Sequence, residues 1–324
     1  MIFWATIPFT MTRRRAILAF LLLLAGSAVP GRAARGVEGL PVMAPPTAAD
    51  RILIVAPHVD DEAIAAAGYA TAARAAGAEV YVAYLTAGDC NATSARMLGR
   101  TLRPKPGIFL EVGERRFGEA LEAMARLGVP RSHLFLLGYP DCGLAAMLDA
   151  PDQVVRSRFT GRAEVPYAAA VAPGSAYRLD NLLRDLGDVL RATAPTLVIL
   201  PVPFDSHRDH SAAGRITLRA LAAAETKPRA LGYLVHARHF PAPFLPASKR
   251  PLLPPRAFAG EAWSVFPLTA EQERLKKRVL QAYRSQRRDP FLYLLTASFV
   301  RRNELFVDLS AALSAAAVPA VARR

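Results

Sequence analysis

The chain is poor in cysteine, in acidic residues and in long apolar runs. Two cysteines among 324 residues are too few for a disulfide-framework mini-protein, a cysteine-based zinc finger or an iron–sulfur site. Asp and Glu number 27 against 41 Lys and Arg, so the formal net charge is +14. Apolar residues make up 52% and charged residues 21%, which excludes wholesale disorder and rod-like assemblies. The length suits one large α/β domain or two small ones.

The positive charge taken alone is compatible with nucleic acid, with an anionic membrane surface, or with solubility only. No basic motif interleaved with aromatic residues is present, so we expect no nucleic-acid partner. Residues 1–34 carry four Arg and no acid, which leaves +14 − 4 = +10 on the rest of the chain. That excess predicts at most a peripheral contact with an anionic envelope surface.

Residues 1–34 have the pattern of an export signal. Arg13–Arg15 precede an apolar run, Ala16–Val29, and Gly31–Ala33 is a small-x-small cleavage candidate. The run is shorter than the roughly 20 residues that a transmembrane helix needs. The pattern therefore favours a cleaved Sec or twin-arginine signal over an uncleaved membrane anchor, and it predicts an exported protein, periplasmic or secreted.

We divide the rest into a Pro/Ala-rich linker at residues 35–49, a domain at 50–308 and a tail at 309–324. Short apolar runs alternate with helical patterns in the domain. The strands are expected to begin at Arg51, Val80, Leu134, Thr196 and Leu231, and the helices to cover 61–77, 114–127, 179–193, 210–224 and 269–283. This alternation predicts an α/β fold of the Rossmann-like, doubly wound type, with a mostly parallel sheet of five or more strands flanked by helices.

Polar residues follow the predicted strands, where open parallel sheets bind their ligands. PHVDDE (residues 57–62) follows the first strand, and DSHRDH (205–210) follows the fourth. An Asp-Asp-Glu run alone is typical of a helix start, and a single His-x-Asp-His is often structural. The joint occurrence of both runs after two strands of one sheet predicts a metal site.

His58, Asp61 and His210 are the predicted metal ligands. Imidazole and carboxylate donors suit Zn²⁺, whose catalytic sites keep three protein ligands and an open position, although another divalent metal also fits. His58 and Asp61 are three residues apart at a strand-to-helix turn, so both can face one point. His210 completes the set if the fourth strand lies beside the first.

Three neighbouring side chains are candidates for catalytic roles. Asp60 is placed to take a proton from water. His207 is placed to stabilise an oxyanion or to protonate a leaving amine, and Asp209 to orient an imidazole. The remaining histidines follow no such pattern and are expected to be ordinary surface or core residues: His133, His236 and His239.

The two cysteines each lie just past a predicted strand end. Cys90 follows the second strand and Cys142 the third, so the loops are neighbours if those strands are adjacent. An exported protein would permit oxidation. The sequence leaves open a disulfide or two free buried thiols.

At these residues the sequence resembles the LmbE-like, or PIG-L, family of zinc-dependent N-deacetylases. APHVDDE (56–62) matches the family motif (P/A)HPDDE, and HRDH (207–210) matches HxDH. Val59 and Arg208 replace the motif prolines, and neither position supplies a ligand. The likeness spans about residues 50–308, because further segments follow in the family's order: 86–89, 116–119, 137–143, 233–236, 283–286 and 298–306.

The resemblance implies an enzyme that removes an N-acetyl group from an N-acetylglucosamine-type sugar or glycoconjugate. It implies the same three zinc ligands, with Asp60 as the general base that takes the proton of the attacking water and His207 as the oxyanion or leaving-group residue. Arg116 and Asp141 match positions that contact the sugar. The other residues proposed to line the substrate cleft are Asp89, Tyr139, Tyr167 and Arg208. The charge of Arg208 at the rim would either favour an anionic substrate or simply be solvated.

Two other functions stay open. One is a metal-dependent hydrolase of another bond, such as a phosphoester, although those sites often hold two metals and more carboxylates. The other is a non-catalytic carbohydrate-binding protein on the same fold, against which the intact ligand set with Asp60 argues. The pattern carries no signal for the particular sugar or for the oligomeric state.

Overall fold

The computed structural model describes residues 37–317, in which seven strands form one mixed sheet. The strands are β1 (Arg51–Ala56), β2 (Glu79–Thr86), β3 (Leu134–Tyr139), β4 (Leu197–Pro201), β5 (Arg229–Tyr233), β6 (Trp263–Pro267) and β7 (Asn303–Asp308). Their order is β3-β2-β1-β4-β5-β7-β6. Strands β1 to β5 are parallel, whereas β7 runs antiparallel to β5 and to β6. The predicted doubly wound, mostly parallel α/β fold is confirmed, and the antiparallel pair is an addition to it.

Ten α-helices accompany the strands in the described part of the chain. They are α1 (Asp61–Ala75), α2 (Ala92–Gly99), α3 (Pro106–Ala125), α4 (Leu144–Asp149), α5 (Leu179–Thr193), α6 (Arg208–Ala223), α7 (Ala270–Leu280), α8 (Arg284–Arg287), α9 (Pro290–Ser298) and α10 (Ser310–Ala317). Helix α5 has its predicted bounds, whereas α3 begins at Pro106 rather than at Glu114. Proline is well tolerated there, because the first residues of a helix need no N–H partner.

The packing of β1 and α1 explains where the first motif sits. Strand β1 reads RILIVA and buries every residue except Arg51, as expected for a strand covered on both faces. Helix α1 is rich in alanine, and its many small buried residues allow it to lie close to the sheet. Because α1 begins at Asp61, only four residues separate the two elements. The turn between them therefore has little freedom.

Residues 37–49 are less free than a linker would be. The Met43 N–H donates to the Val265 carbonyl at 2.9 Å, and the Val265 N–H donates to the Pro41 carbonyl at 2.9 Å. This segment thus pairs with β6, whose outer edge would otherwise be open. The predicted export signal lies outside the described residues. Of the predicted tail, Ser310–Ala317 forms α10, and within residues 37–317 no helix combines the length and apolar character that a membrane span requires.

A buried ion pair connects the C-terminal part of the sheet to α1. Lys276 Nζ on α7 lies 2.6 Å from Glu304 Oε1 on β7. Lys276 also donates to the Ile64 carbonyl at 2.8 Å, and Glu304 accepts the backbone N–H groups of Gly68 and Tyr69, each at 2.8 Å. Ile64 and Gly68 are four residues apart, so the contacts of Lys276 and Glu304 span about one turn of α1. We call Lys276 and Glu304 the α1 ion pair.

Candidate metal and catalytic site

The two sequence motifs meet at the switch point of the sheet. Strand β4 pairs in parallel with β1, and the strand order reverses between them, with β2 and β3 on one side and β5 on the other. Ligands of open α/β sheets bind in the crevice at this position. The PHVDDE turn leads from β1 into α1, and the DSHRDH turn leads from β4 into α6. The condition set for His210 to join His58 is therefore met.

The three predicted ligands present their donor atoms at the corners of a small triangle. The distances are 3.2 Å from His58 Nδ1 to Asp61 Oδ2, 3.3 Å from His210 Nε2 to Asp61 Oδ2, and 3.3 Å between His210 Nε2 and His58 Nδ1. Zinc bonds of about 2.0–2.1 Å in tetrahedral geometry put neighbouring ligand atoms about 3.3 Å apart. The donor set therefore fits a cation of the size of Zn²⁺.

The charges around this triangle also favour a cation. Burial raises the pKa of Asp61, but His210 and His58 outweigh it and hold the pKa well below its usual range. Burial lowers the pKa of His210, whereas Asp61 and Asp205 raise it, to about 9. The buried carboxylates thus stabilise positive charge at the position between the three donor atoms. A divalent cation bound there would neutralise these carboxylates in place of the protons that the imidazoles carry without it.

Asp205, which the sequence analysis did not single out, supports His210 from behind. Its Oδ2 lies 3.4 Å from His210 Nδ1 and accepts the backbone N–H groups of Val235 and His236, each at 3.1 Å. Its Oδ1 accepts the His207 N–H at 2.8 Å. A fixed carboxylate behind a ligand imidazole orients the ring. For His210 this role falls to Asp205 and not to Asp209.

His58 has two carboxylates on its other edge. Its Nε2 lies 3.1 Å from Asp141 Oδ1 and 3.7 Å from Asp209 Oδ2. Burial lowers the pKa of His58, but the charge of Asp141 raises it well above its usual value. Asp141 is buried and its other oxygen accepts the Cys90 N–H at 2.7 Å, so both of its oxygens are engaged. In the described structure the Asp141 carboxylate faces the outer edge of the His58 ring, and its contact with the sugar stays a prediction.

Asp60 lies beside the triangle in an unusual backbone conformation. Its φ is 132° and ψ is −23°, a combination that residues with a side chain rarely adopt. Its N–H donates to Glu62 Oε2 at 3.1 Å, and its Oδ1 lies 3.8 Å from Arg116 Nη2. Burial and the neighbouring Asp61 raise the pKa of Asp60 well above its usual range. Such strain and pKa shifts are concentrated at functional sites.

Arg116 fixes the loops of the site. It is buried, and it donates to the Gly88 carbonyl at 2.6 Å and to the Val59 carbonyl at 3.0 Å. Gly88 has a φ of 70°, and a Cβ there would clash with the Arg116 guanidinium. Gln286 Nε2 also donates to the Val59 carbonyl, at 2.6 Å. The two terminal nitrogens of Arg116 thus face backbone carbonyls, whereas its buried Nε has no hydrogen-bond partner in the described structure, and its contact with the sugar stays a prediction.

His207 and His236 complete a cluster of four histidines. The His207 ring centroid lies 5.1 Å from those of His58 and His210, and the His236 ring lies 4.7 Å from His210 and 5.0 Å from His207. Burial, with the charges of His58 and His210, lowers the pKa of His207 to about 4, and burial lowers that of His236 to about 3. Both rings are neutral at neutral pH.

The expectation that His236 is ordinary is wrong. It follows β5, the neighbour of β4, so the rule that placed the other site residues after strand ends would also have found it. His133, by contrast, stacks on Tyr81 with ring centroids 4.2 Å apart, and His239 is exposed. These two are ordinary histidines, as expected.

The other predicted substrate residues divide into three cases. Tyr139 is fully buried and its hydroxyl donates to Asp185 at 2.7 Å, so it packs in the core and the substrate prediction is wrong for it. Asp89 is buried, accepts the Tyr167 hydroxyl at 2.5 Å, and has a pKa raised to about 7 by burial and by Asp141. Arg208 is exposed, and its Nη2 lies 3.2 Å from Oδ2 of the exposed Asp149.

The two cysteines are joined in a disulfide. Strands β2 and β3 are adjacent and parallel, as the hypothesis required, and the Cα atoms of Cys90 and Cys142 are 6.1 Å apart. This separation is typical of disulfides. The open alternative of two free thiols is resolved in favour of the bond.

The fold and the site define a Rossmann-like α/β protein with a His/Asp/His metal-binding geometry at its switch point. The family model described as "PIG-L: GlcNAc-PI de-N-acetylase" matches residues 53–221, just over half of the chain. The chain therefore belongs to the PIG-L family, and the resemblance identified from its motifs is confirmed.

The solved structures to which this chain is similar are only distantly related in sequence. A deacetylase–bog complex from the teicoplanin biosynthesis pathway is 17% identical, covers 79% of this chain and 96% of its own, and has a TM-score of 0.50. N,N'-diacetylchitobiose deacetylase from Pyrococcus horikoshii is 17% identical over 94% of both chains, with a TM-score of 0.49. A conserved protein from Thermus thermophilus is 23% identical over 77% and 84%, with a TM-score of 0.45. No curated protein matches the chain significantly.

Proposed function

We propose that this protein is an exported, zinc-dependent N-deacetylase that acts on an N-acetylglucosamine-type sugar or glycoconjugate. The observation that carries the proposal is the triangle of donor atoms from His58, Asp61 and His210, with the buried carboxylate of Asp60 beside it. The family description supports the acetyl group and the sugar, since it names a de-N-acetylase of an N-acetylglucosamine conjugate. Export is supported by the pattern of residues 1–34.

His58, Asp61 and His210 would hold the metal. When bound, Zn²⁺ supplies a Lewis acid for the amide carbonyl and lowers the pKa of water. Asp205 behind His210 and Asp141 behind His58 keep the two imidazoles in a fixed orientation.

Asp60 moves the proton. Its carboxylate accepts a proton from the attacking water and returns it to the amine nitrogen as the C–N bond breaks, so amide and water become free amine and acetic acid, which then ionises to acetate in solution. Burial raises the pKa of Asp60, and a group that acts first as base and then as acid works best with a pKa close to the working pH. The strained backbone at Asp60 aims the side chain, and Glu62 anchors its N–H.

His207 stabilises the developing oxyanion. Its Nδ1 is buried without a hydrogen-bond partner, and its pKa of about 4 keeps the ring neutral at pH 7. A neutral imidazole offers one N–H to an oxyanion but is a poor proton donor to an amine. For this reason we assign protonation of the leaving amine to Asp60. The exposed Arg208 at the start of α6 favours a substrate that carries an anionic group.

Acetate release from a panel of N-acetylated saccharides and glycoconjugates tests the activity. The full chain should release acetate, chelation should abolish the release, and added zinc should restore it. Asp60→Asn should be nearly inactive, whereas Asp188→Asn, the same change on an exposed carboxylate of α5, should be as active as the wild type. A zinc-loaded protein that releases no acetate but cleaves phosphoesters would favour the alternative hydrolase. Sugar binding without turnover would favour the carbohydrate-binding alternative.

The mass of the protein recovered from the periplasm or medium tests export. We expect a mature chain that begins close to residue 34. A full-length chain retained in the cytoplasm would contradict the export proposal and leave the enzymatic one untouched.

A further inference from the structure

We propose that the Cys90–Cys142 disulfide is a positioning clasp for the metal site, which fixes the two carboxylates behind His58 and thereby strengthens metal binding. The inference rests on the metal site of the proposed function. It assigns the cysteines a role beyond general stabilisation, because their backbone atoms touch the groups that orient a metal-site residue.

Each cysteine holds one of the two carboxylates. The Cys90 N–H donates to Asp141 Oδ2 at 2.7 Å, and the Cys142 N–H donates to Asp209 Oδ2 at 2.6 Å. The same two aspartates face His58 Nε2, at 3.1 and 3.7 Å. The covalent bond therefore joins the two backbone donors that hold both carboxylates against one edge of one imidazole.

This arrangement needs a restraint. Asp141 and Asp209 are 6% and 2% exposed, and two buried carboxylates that converge on one ring repel each other. The Cys142 backbone has a φ of 63°, in the left-handed region that residues with a side chain seldom occupy. Both cysteines lie in loops, one between β2 and α2 and the other between β3 and α4. The disulfide ties the loop that carries Asp141 and Cys142 to the loop of Cys90. Without the bond, repulsion between Asp141 and Asp209 on α6 would favour a shift of the β3–α4 loop and so weaken the hydrogen bonds that hold both carboxylates.

The consequence is measurable at the metal. Groups that orient a metal-ligating histidine change metal affinity about 10–100-fold when they are removed. Loosening two of them without deleting either should have an effect near the lower end of this range, and we expect about tenfold weaker zinc binding without the disulfide. A disulfide that only stabilises the fold would lower the melting temperature and leave the affinity of the folded protein unchanged.

The test is the zinc dissociation constant of the full chain, measured by chelator competition well below the melting temperature. Cys90→Ser/Cys142→Ser is preferable to chemical reduction, because the freed thiols together with Asp141 have ligand atoms close enough to bind zinc themselves. The double serine variant is compared with the wild type and again in an Asp141→Asn/Asp209→Asn background. Lys276→Met, in the α1 ion pair, is the control that lowers stability away from the site.

The clasp predicts a roughly tenfold loss of affinity in the wild-type background, a loss below about twofold when both carboxylates are already replaced, and no change for Lys276→Met. Non-additivity of this kind is the mark of residues that act through one another. Unchanged affinity in the serine variant, or an equal loss in both backgrounds, would overturn the clasp and leave the metal site standing. A wild-type chain that binds no zinc would overturn the metal site and the clasp together.

Discussion

Two groups of buried charge in this protein are built in different ways. In the α1 ion pair, Lys276 donates to Glu304 and to the Ile64 carbonyl, and Glu304 accepts two backbone N–H groups of the same helix. Around the switch point, in contrast, the buried Asp89 Oδ1 and His207 Nδ1 lack hydrogen-bond partners in the described structure, and His210 Nδ1 has only the 3.4 Å contact with Asp205.

This difference in pairing distinguishes a buried group that stabilises the fold from one that is available for binding or catalysis. A buried polar or charged group is costly unless it is paired, so most such groups are satisfied within the protein. The α1 ion pair follows this rule and ties α1 to β7. The switch-point cluster departs from it at Asp89 Oδ1 and His207 Nδ1, as we expect if a cation and a substrate bind there as proposed. Substitutions should therefore affect stability in one region and turnover or metal binding in the other.

The largest expected effect is on turnover at Asp60. Asp60→Asn keeps the shape of the side chain but removes the proton acceptor, so kcat should fall about 10²- to 10⁴-fold. The melting temperature should change little, because the only ion pair affected is the long 3.8 Å contact with Arg116, which keeps its shorter bonds to the Gly88 and Val59 carbonyls. Steady-state acetate release and a thermal melt of the same preparation check both halves. A kcat within threefold of the wild type would remove Asp60 from the reaction.

An effect of similar free energy, but on stability instead of turnover, is expected at the α1 ion pair. Lys276→Met leaves the Glu304 carboxylate buried without its partner, which should lower the free energy of unfolding by about 3–5 kcal/mol. Activity per folded molecule should be retained. Denaturant unfolding and assays well below the melting temperature provide the measurement. Loss of activity without loss of stability would show that the two regions are not separable in this way.

A smaller effect is expected at Asp205. Asp205→Asn weakens the carboxylate behind His210, so the zinc dissociation constant should rise about 10–100-fold, with kcat restored at saturating zinc. Chelator competition measures the first quantity and a zinc titration of activity the second. Unaltered affinity would mean that the 3.4 Å contact with His210 Nδ1 does not orient the ring.

The smallest effect is expected at Arg208, which is exposed and paired only with exposed Asp149. Arg208→Ala should change stability by less than about 0.5 kcal/mol. KM should rise for anionic substrates and stay constant for neutral ones, with kcat unchanged for both. An equal effect on neutral and anionic substrates would contradict the proposed role of the rim charge.

The sequence predicted the elements whose pattern lies within one contiguous segment of the chain. The apolar strands β1 to β5 and their helices are contiguous patterns, and the rule about strand ends placed His58, Asp61 and His210 at one point once β1 and β4 were adjacent. The same rule brought Cys90 and Cys142 together through β2 and β3. Each of these inferences needed only neighbouring strands.

What the sequence could not supply depends on contacts between distant segments. Strand β7 carries a buried Glu304 that reads as a surface residue, because its partners lie 28 and more than 230 residues away, in α7 and α1. Tyr139 ends a strand near the site, yet its hydroxyl bonds to Asp185 on α5, 46 residues further along. Arg116 and Asp141 were found as site residues, but which groups their polar atoms face follows only from the three-dimensional packing.

Anomalous diffraction at the zinc edge, on crystals of the full chain grown with zinc, tests the central claim most directly. The account predicts a peak in contact with His58, Asp61 and His210, and its loss in His210→Ala. A zinc peak elsewhere in the chain, or one that persists at the same place in His210→Ala with full occupancy, would contradict the assignment of the metal site.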